Sequence, residues 1–252
     1  MLFERDSSTY TYLVGDTGGG GPPTGVLIDP VDVTVERDAA AVAAAGVTVS
    51  HAINTHVHAD HVTGTGLLKR TLTSPPLSVL SVTAGGAADV HAPPGWVLRV
   101  GRLQLTSVAT PGHTAGCQSL LLSVDAEGGG RQEGGKADAT ASPAADPVAV
   151  FTGDALLIGG CGRTDFQGGD AATLYRSVRG RLLTALPPAT VVLPAHDYHG
   201  HRASTVGAER AGNARLRDGI SEAAFVELMA ALRLPMPRRI DDAVPANLRC
   251  GD

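Results

Sequence analysis

Within Thr55-His56-Val57-His58-Ala59-Asp60-His61, three imidazoles and a carboxylate stand in six consecutive residues directly after an apolar stretch. Packing alone does not explain such a density of donors, and the segment reads as half of a metal site. Imidazole suits zinc, iron, copper and nickel, while the carboxylate adds a harder oxygen ligand and a negative charge against the cation. In extended chain His56 and His58 share one side, because side chains repeat every two residues. A helix over 62–68 is expected to follow, its first turn aiming Asp60 and His61 at the same pocket.

The partners of this half-site stand at the ends of predicted strands. The run 47–53 leads into His56, and 103–108 leads through Thr110-Pro111-Gly112 into His113. The run 148–151 leads through Thr152-Gly153 into Asp154, and 191–193 through Pro194-Ala195 into His196. Layered α/β folds gather function where strands stop, since loops there present side chains on a rigid frame. Singly, His113 or Asp154 would suit a turn or a cap; with the first cluster, the four strand ends point to one site. His51, His91, His199 and His201 are read as surface or supporting residues.

The rest of the chain must supply that frame. Its 252 residues are 43% hydrophobic, enough for a proper core, and the expectation is a single domain over 1–252. A net charge of −5 and a basic cluster no longer than Arg238-Arg239 argue against nucleic acid. No apolar run reaches the roughly 18 residues of a membrane span, and the first residues lack signal-peptide or transit character. Cys117, Cys161 and Cys250 form no CxxC pair, which fits a reducing intracellular compartment rather than a disulfide framework. Strands are expected at 10–14 and 25–28 around a Gly/Pro-rich hairpin loop at 17–23, and a helix over 36–45 stopped by Gly46. Near the C-terminus Ser221 caps a helix whose Phe225, Leu228, Met229 and Leu232 recur at core-facing spacing. The segment 125–147, rich in Gly, Ala and Asp, has too few large apolar residues to order itself. It is expected to be a flexible loop inserted between two neighbouring strands.

The order THxHxDH, PGH, GD and AH resembles the metallo-β-lactamase superfamily, which implies an α/β fold, the αβ/βα sandwich of two mixed sheets flanked by helices. Within it, Ser8-Thr9-Tyr10-Thr11-Tyr12-Leu13, the runs 151–158 and 160–167, Pro194-Ala195-His196-Asp197-Tyr198-His199-Gly200 and Ala243-Val244-Pro245-Ala246-Asn247 resemble the persulfide dioxygenases. These strings span nearly the whole chain. The resemblance implies one Fe(II) per chain, held by His56, His113 and Asp154, and oxidation of glutathione persulfide by O2 to sulfite and glutathione. His58, Asp60, His61, His196 and Asp197 then take supporting roles around the iron. A homo-oligomer is consistent with the family, whose members commonly associate, and the compartment would be cytoplasm in a bacterium or the mitochondrial matrix in a eukaryote.

Arg163, Tyr198 and Arg215 are candidates to hold glutathione, and Cys161 is a candidate oxidation-sensitive thiol. The chain departs from the family at three places: Gly159 stands where an Arg usually precedes GCGRTDF, Ala214 replaces a Pro, and 125–147 is an insertion. Two other functions use the same residues. One is a dinuclear thioester hydrolase of the glyoxalase II kind, which would fill a second site from His58, Asp60, His61 and His196. The other is a catalytically silent sulfide or redox sensor switched by Cys161.

Overall fold

Val26 and Ile28 face one side of their strand and Leu27 the other, yet all three are fully buried. A strand apolar on both faces must be covered on both, and the fold is organised around that requirement. The computed structural model describes residues 1–18, 22–124 and 145–252. Its first sheet is built from β1 (Leu2–Phe3), β2 (Tyr10–Asp16), β3 (Thr24–Ile28), β4 (Thr48–Ile53), β5 (Leu77–Ser81) and β6 (Val90–Ala92), in that spatial order. Helices α1 (Val35–Ala45) and α2 (Thr65–Thr71) lie between strands of this sheet in sequence. The second sheet runs β12-β11-β10-β9-β8-β7, with β7 (Val97–Val100), β8 (Leu103–Ala109), β9 (Gln118–Val124), β10 (Ala149–Gly153), β11 (Val191–Pro194) and β12 (Ser204–Thr205). Its helices are α3 (Ala171–Ser177), α4 (Val206–Gly212) and α5 (Glu222–Ala231), and α6 (Ile240–Asn247) follows near the C-terminus. Both sheets are mixed: β3–β4, β4–β5, β5–β6 and β10–β11 pair in parallel, the other neighbours antiparallel.

The buried side chains sort into the layers of an αβ/βα sandwich. Tyr12, Val26, Ile28, Ile53 and Val79 of the first sheet meet Leu98, Leu105, Leu120 and Phe151 of the second in one core. Leu27 and Val49 turn to the other side, against Val35 and Val42 of α1 and Leu68 of α2. Val150 and Val192 face Leu174, Val206, Phe225 and Met229 on the helices of the second sheet.

Most predicted elements are present with slightly shifted ends. Gly46 stops α1 in the left-handed conformation (φ 65°). The Ser221 side chain accepts a hydrogen bond from the Ala224 N–H and caps α5. Strands β2 and β3 pair from Tyr12↔Ile28 to Asp16↔Thr24, as a hairpin requires; residues 19–21 of its loop lie outside the described residues. Strands β9 and β10 are antiparallel neighbours, while residues 125–144 of the expected insertion also lie outside the described residues.

Two expectations are corrected. The helix after the histidine cluster begins at Thr65, not near Val62, because the chain from Asn54 to Gly64 is held in an irregular path by side chains from elsewhere. The α5 stripe is core except at one position: Phe225 and Met229 are buried and Leu232, just beyond the helix end, packs against the same core, but Leu228 is 45% exposed. Helix α3 packs against only one side of this short helix. Among the described residues no helix is long and apolar enough to cross a membrane.

Phe225, fully buried and packed against the Tyr175 ring at a 45° tilt with centroids 5.6 Å apart, joins α5 to α3. Phe225→Ala is expected to destabilise the fold by about 3–5 kcal/mol. The check is a lowered urea midpoint with unchanged slope.

Candidate metal centre

All four strand-end residues converge at one end of the sandwich. His56 follows β4, His113 follows β8, Asp154 directly follows β10 and His196 follows β11. Two groups of donor atoms result, His56/His113/Asp154 and His58/Asp60/His61/His196, each with its ligand atoms within 4.8 Å of one another. The backbone permits this approach at Gly153 (φ 53°), where a Cβ would stand 2.6 Å from the Thr55 hydroxyl.

Hydrogen bonds fix which ring nitrogens carry protons. The Arg163 carbonyl can only accept, so the 2.7 Å contact makes His113 Nδ1 the protonated nitrogen and leaves the Nε2 lone pair free. The Thr55 hydroxyl donates to Asp29 Oδ2 at 2.9 Å, so its oxygen accepts from His56 Nδ1–H at 3.0 Å. That leaves the His56 Nε2 lone pair free. Asp154 accepts from His196 Nδ1 through Oδ1 at 2.6 Å, while its Oδ2 lies 3.6 Å from His113 Nε2. Two imidazole nitrogens and a carboxylate oxygen therefore stand unprotonated and adjacent, a donor set that fits a mononuclear metal with open positions.

The second group is linked differently. His58 Nε2 donates to Asp29 Oδ1 at 3.1 Å and His61 Nδ1 to Asp60 Oδ2 at 3.0 Å. His58 Nδ1 and His61 Nε2 are left buried without a hydrogen-bond partner. His196 lies between two carboxylates, donating to Asp154 and, through Nε2, to Asp60 Oδ2 at 2.9 Å. Thr9 touches His196 Nε2 at 3.0 Å and His61 Nδ1 at 3.3 Å.

Electrostatics follow this wiring. Burial, then the neighbouring His58, holds His56 well below the ordinary histidine range, so it stays neutral as a ligand requires. Burial opposes a charge on His196, but Asp154 and Asp60 outweigh it and raise it well above the usual range. Burial likewise works against ionised Asp154, yet His196, His113 and His56 hold its carboxyl far below the usual carboxylate range.

A cavity of about 610 Å³ opens onto Asp60, His113, Asp154 and His196 and extends to a rim at Met236 and Arg238. Arg163, Tyr198, Arg215 and Cys161 all line it. Tyr198 is 65% exposed, its ring parallel to that of His196. Arg215 donates to the Cys161 carbonyl at 2.9 Å. The Arg163 guanidinium is already engaged, by Asp165 at 2.6 and 2.7 Å and by the Pro235 carbonyl at 2.5 Å, and it lies over the Phe166 ring. Its carbonyl, rather than its charge, meets the centre. The Asp197 carboxylate accepts from the His199 and His201 backbone N–H groups. Cys161 is buried beside Met229, and burial pushes its thiol up to about 11, a poor state for an oxidation sensor.

Asp29, Thr55 and Thr9 were not singled out from sequence. Asp29 had a usable signal, being a carboxylate directly after the apolar β3, the same strand-end pattern that marked the other four residues.

The metallo-beta-lactamase superfamily model matches residues 5–125. The mitochondrial persulfide dioxygenase ETHE1 of Mus musculus is 46% identical over 251 residues, covering 100% of this chain and 87% of that relative. The chain belongs to the persulfide dioxygenase family. The crystal structure of ETHE1 from Myxococcus xanthus superposes with a TM-score of 0.85 at 41% identity, covering 100% of this chain and 98% of that one. A hydroxyacylglutathione hydrolase of Methylococcus capsulatus is more distant, 29% identical over 234 residues, 90% of this chain and 77% of its own. In this persulfide dioxygenase family member Gly159 and Ala214 meet in space: the Ala214 N–H donates to the Gly159 carbonyl at 3.2 Å, a bond no proline could make.

The thiols supply a pH test. Burial pushes Cys117 to about 12 and Cys161 to about 11, whereas both start from 9.0 when free. Above pH 9 the unfolded chain releases these protons while the native one keeps them, so stability falls as pH rises from about 9 to 11. Cys161→Ala is expected to flatten that decline in denaturant titrations. At pH 8 Cys161 holds about one thiolate in a thousand, so iodoacetamide should label the half-buried Cys250 well before the other two.

Proposed function

We propose that the chain oxidises glutathione persulfide with O2, and that His56, His113 and Asp154 hold one Fe(II) for the reaction. Glutathione persulfide, O2 and water give glutathione and sulfite with release of two protons. What carries the reading is the group of two histidines and one carboxylate, each oriented by its own hydrogen bond, in a chain of this family. Bound there, Fe(II) would supply open coordination positions and the electrons for O2 chemistry.

The protein's part is positioning. The Arg163 carbonyl, the Thr55 hydroxyl and His196 keep the three donors aimed at one point before any ligand arrives. Leu157 and Ile158 give the cavity an apolar stretch of wall. Tyr198 at the mouth and Arg215, which has no acidic partner among the described residues, are assigned to the peptide part of the substrate. Arg163 is assigned to holding His113 through its carbonyl and the 234–235 side of the cavity through its guanidinium. His58, Asp60, His61 and His196 are assigned to orienting the centre, and Asp197 to bracing the loop that carries Tyr198.

A second reading, a dinuclear thioester hydrolase, has one observation in its favour: the unpartnered His58 Nδ1 and His61 Nε2 beside Asp60 and His196. Against it, both nitrogens of His196 are already committed to carboxylates. Protein made under iron-replete conditions is expected to carry one iron per chain and to consume O2 in proportion to glutathione persulfide, with no hydrolysis of a glutathione thioester. Two metals per chain and thioester hydrolysis without O2 uptake would establish the second reading instead.

The Thr55 hydroxyl gives a sharper test of the ligand set. Thr55→Val removes the acceptor for His56 Nδ1–H and is expected to weaken iron binding about 10–100-fold, with Thr55→Ser near wild type. Chelator competition measures this directly.

A further inference from the structure

The segment from Asn54 to Gly64 carries four of the donors yet is neither helix nor strand, and nearly all of it is buried. Buried backbone outside regular structure must find partners individually. Three of its groups are met by one side chain from the far end of the chain. Asn247 Nδ2 donates to the His58 and His61 carbonyls, both at 2.8 Å, and its Oδ1 accepts from the Thr63 N–H at 2.7 Å. Asn247 is itself buried at the end of α6. Only a primary amide offers two donors and an acceptor in this arrangement; aspartate lacks the donors and leucine lacks both.

The segment around Asn247 is anchored so that the amide cannot drift. The Gly66 N–H donates to the Cys250 carbonyl at 3.0 Å and the Ala87 N–H to the Leu248 carbonyl at 2.8 Å. At Gly251 (φ 90°) a Cβ would stand 2.4 Å from the Thr63 carbonyl, so the chain passes directly over the segment. The pinned carbonyls bracket Ala59 and Asp60. Asp60 in turn meets His196 at 2.9 Å, and His196 meets Asp154 at 2.6 Å.

We propose that Asn247 is a positioning residue for the metal centre: by pinning the 58–61 turn it holds Asp60 against His196 and so fixes the Asp154 carboxylate. The inference rests on the reading of Asp154 as a metal ligand. Its test uses Co(II) affinity and the visible spectrum of the Co(II) protein, neither of which requires turnover. Wild-type O2 uptake separately tests the activity.

Asn247→Asp and Asn247→Leu are expected to bind Co(II) 10–100-fold more weakly than wild type, with a shifted visible spectrum, while retaining native circular dichroism. Ser221→Ala, which removes the α5 cap far from the centre, serves as a control that lowers stability and should leave Co(II) affinity and spectrum unchanged. Wild-type affinity and spectrum in both Asn247 variants would overturn the proposal, whatever their stability. Should both variants fail to fold, hydrogen exchange in the wild type decides. Loading with Co(II) is expected to slow exchange of the Thr63 amide more than tenfold, because a clamp that favours the metal must be favoured by it. Unchanged exchange there overturns the proposal.

Discussion

Asp154 accepts a hydrogen bond of 2.6 Å from His196, and through that bond two groups of buried donors become one pocket. Imidazoles and carboxylates crowded together away from water are unfavourable unless each charge meets its opposite. His196, with a carboxylate at each nitrogen, satisfies Asp60 and Asp154 together. His56 and His113 meet a hydroxyl and a carbonyl at Nδ1 instead, and keep a lone pair at Nε2. Environment thus divides chemically identical side chains into one that holds a carboxylate and two that can hold a metal.

That division requires sub-ångström placement, and the two sheets supply it by different means. His113, Asp154 and His196 stand within four residues of strand ends in a single sheet, so their backbones inherit its register. The segment carrying His56, His58, Asp60 and His61 has no such register. It is held by Asp29 beneath, by the Gln118 side chain on the Asn54 carbonyl at 3.1 Å, by Gln167 on the Val57 carbonyl at 3.1 Å, and by Asn247. An irregular segment can present four donors from a short stretch of chain because its own backbone is satisfied from outside.

Much of this was legible beforehand. Strand-end residues could be named because apolar runs of strand length stop just before His56, His113, Asp154 and His196, and the layers follow from runs such as Val26-Leu27-Ile28. The surrounding strings carried the family. Less legible were the roles of arginines and acids. Arg163 sits in a family-specific string, but Asp165 two residues on takes its guanidinium, and that pairing depends on the turn between them. Asp197 adjoins His196 in sequence, yet its carboxylate is taken by the backbone of its own loop. Leu228 fits a helical stripe, but α5 is covered on too narrow a face to bury it.

By itself the sequence determined the donor types, their order along the chain, the strands that end in them and the family they belong to, because apolar periodicity and motif spacing are local properties. Only the tertiary structure decided which nitrogen of each ring is free, which carboxylate each histidine meets, and that Asp29, Thr55 and Asn247 hold the centre in place. Those outcomes depend on hydrogen bonds between residues as many as 189 positions apart, between Asn247 and His58. Such distant pairings exist only once the two sheets and the C-terminal helix have packed.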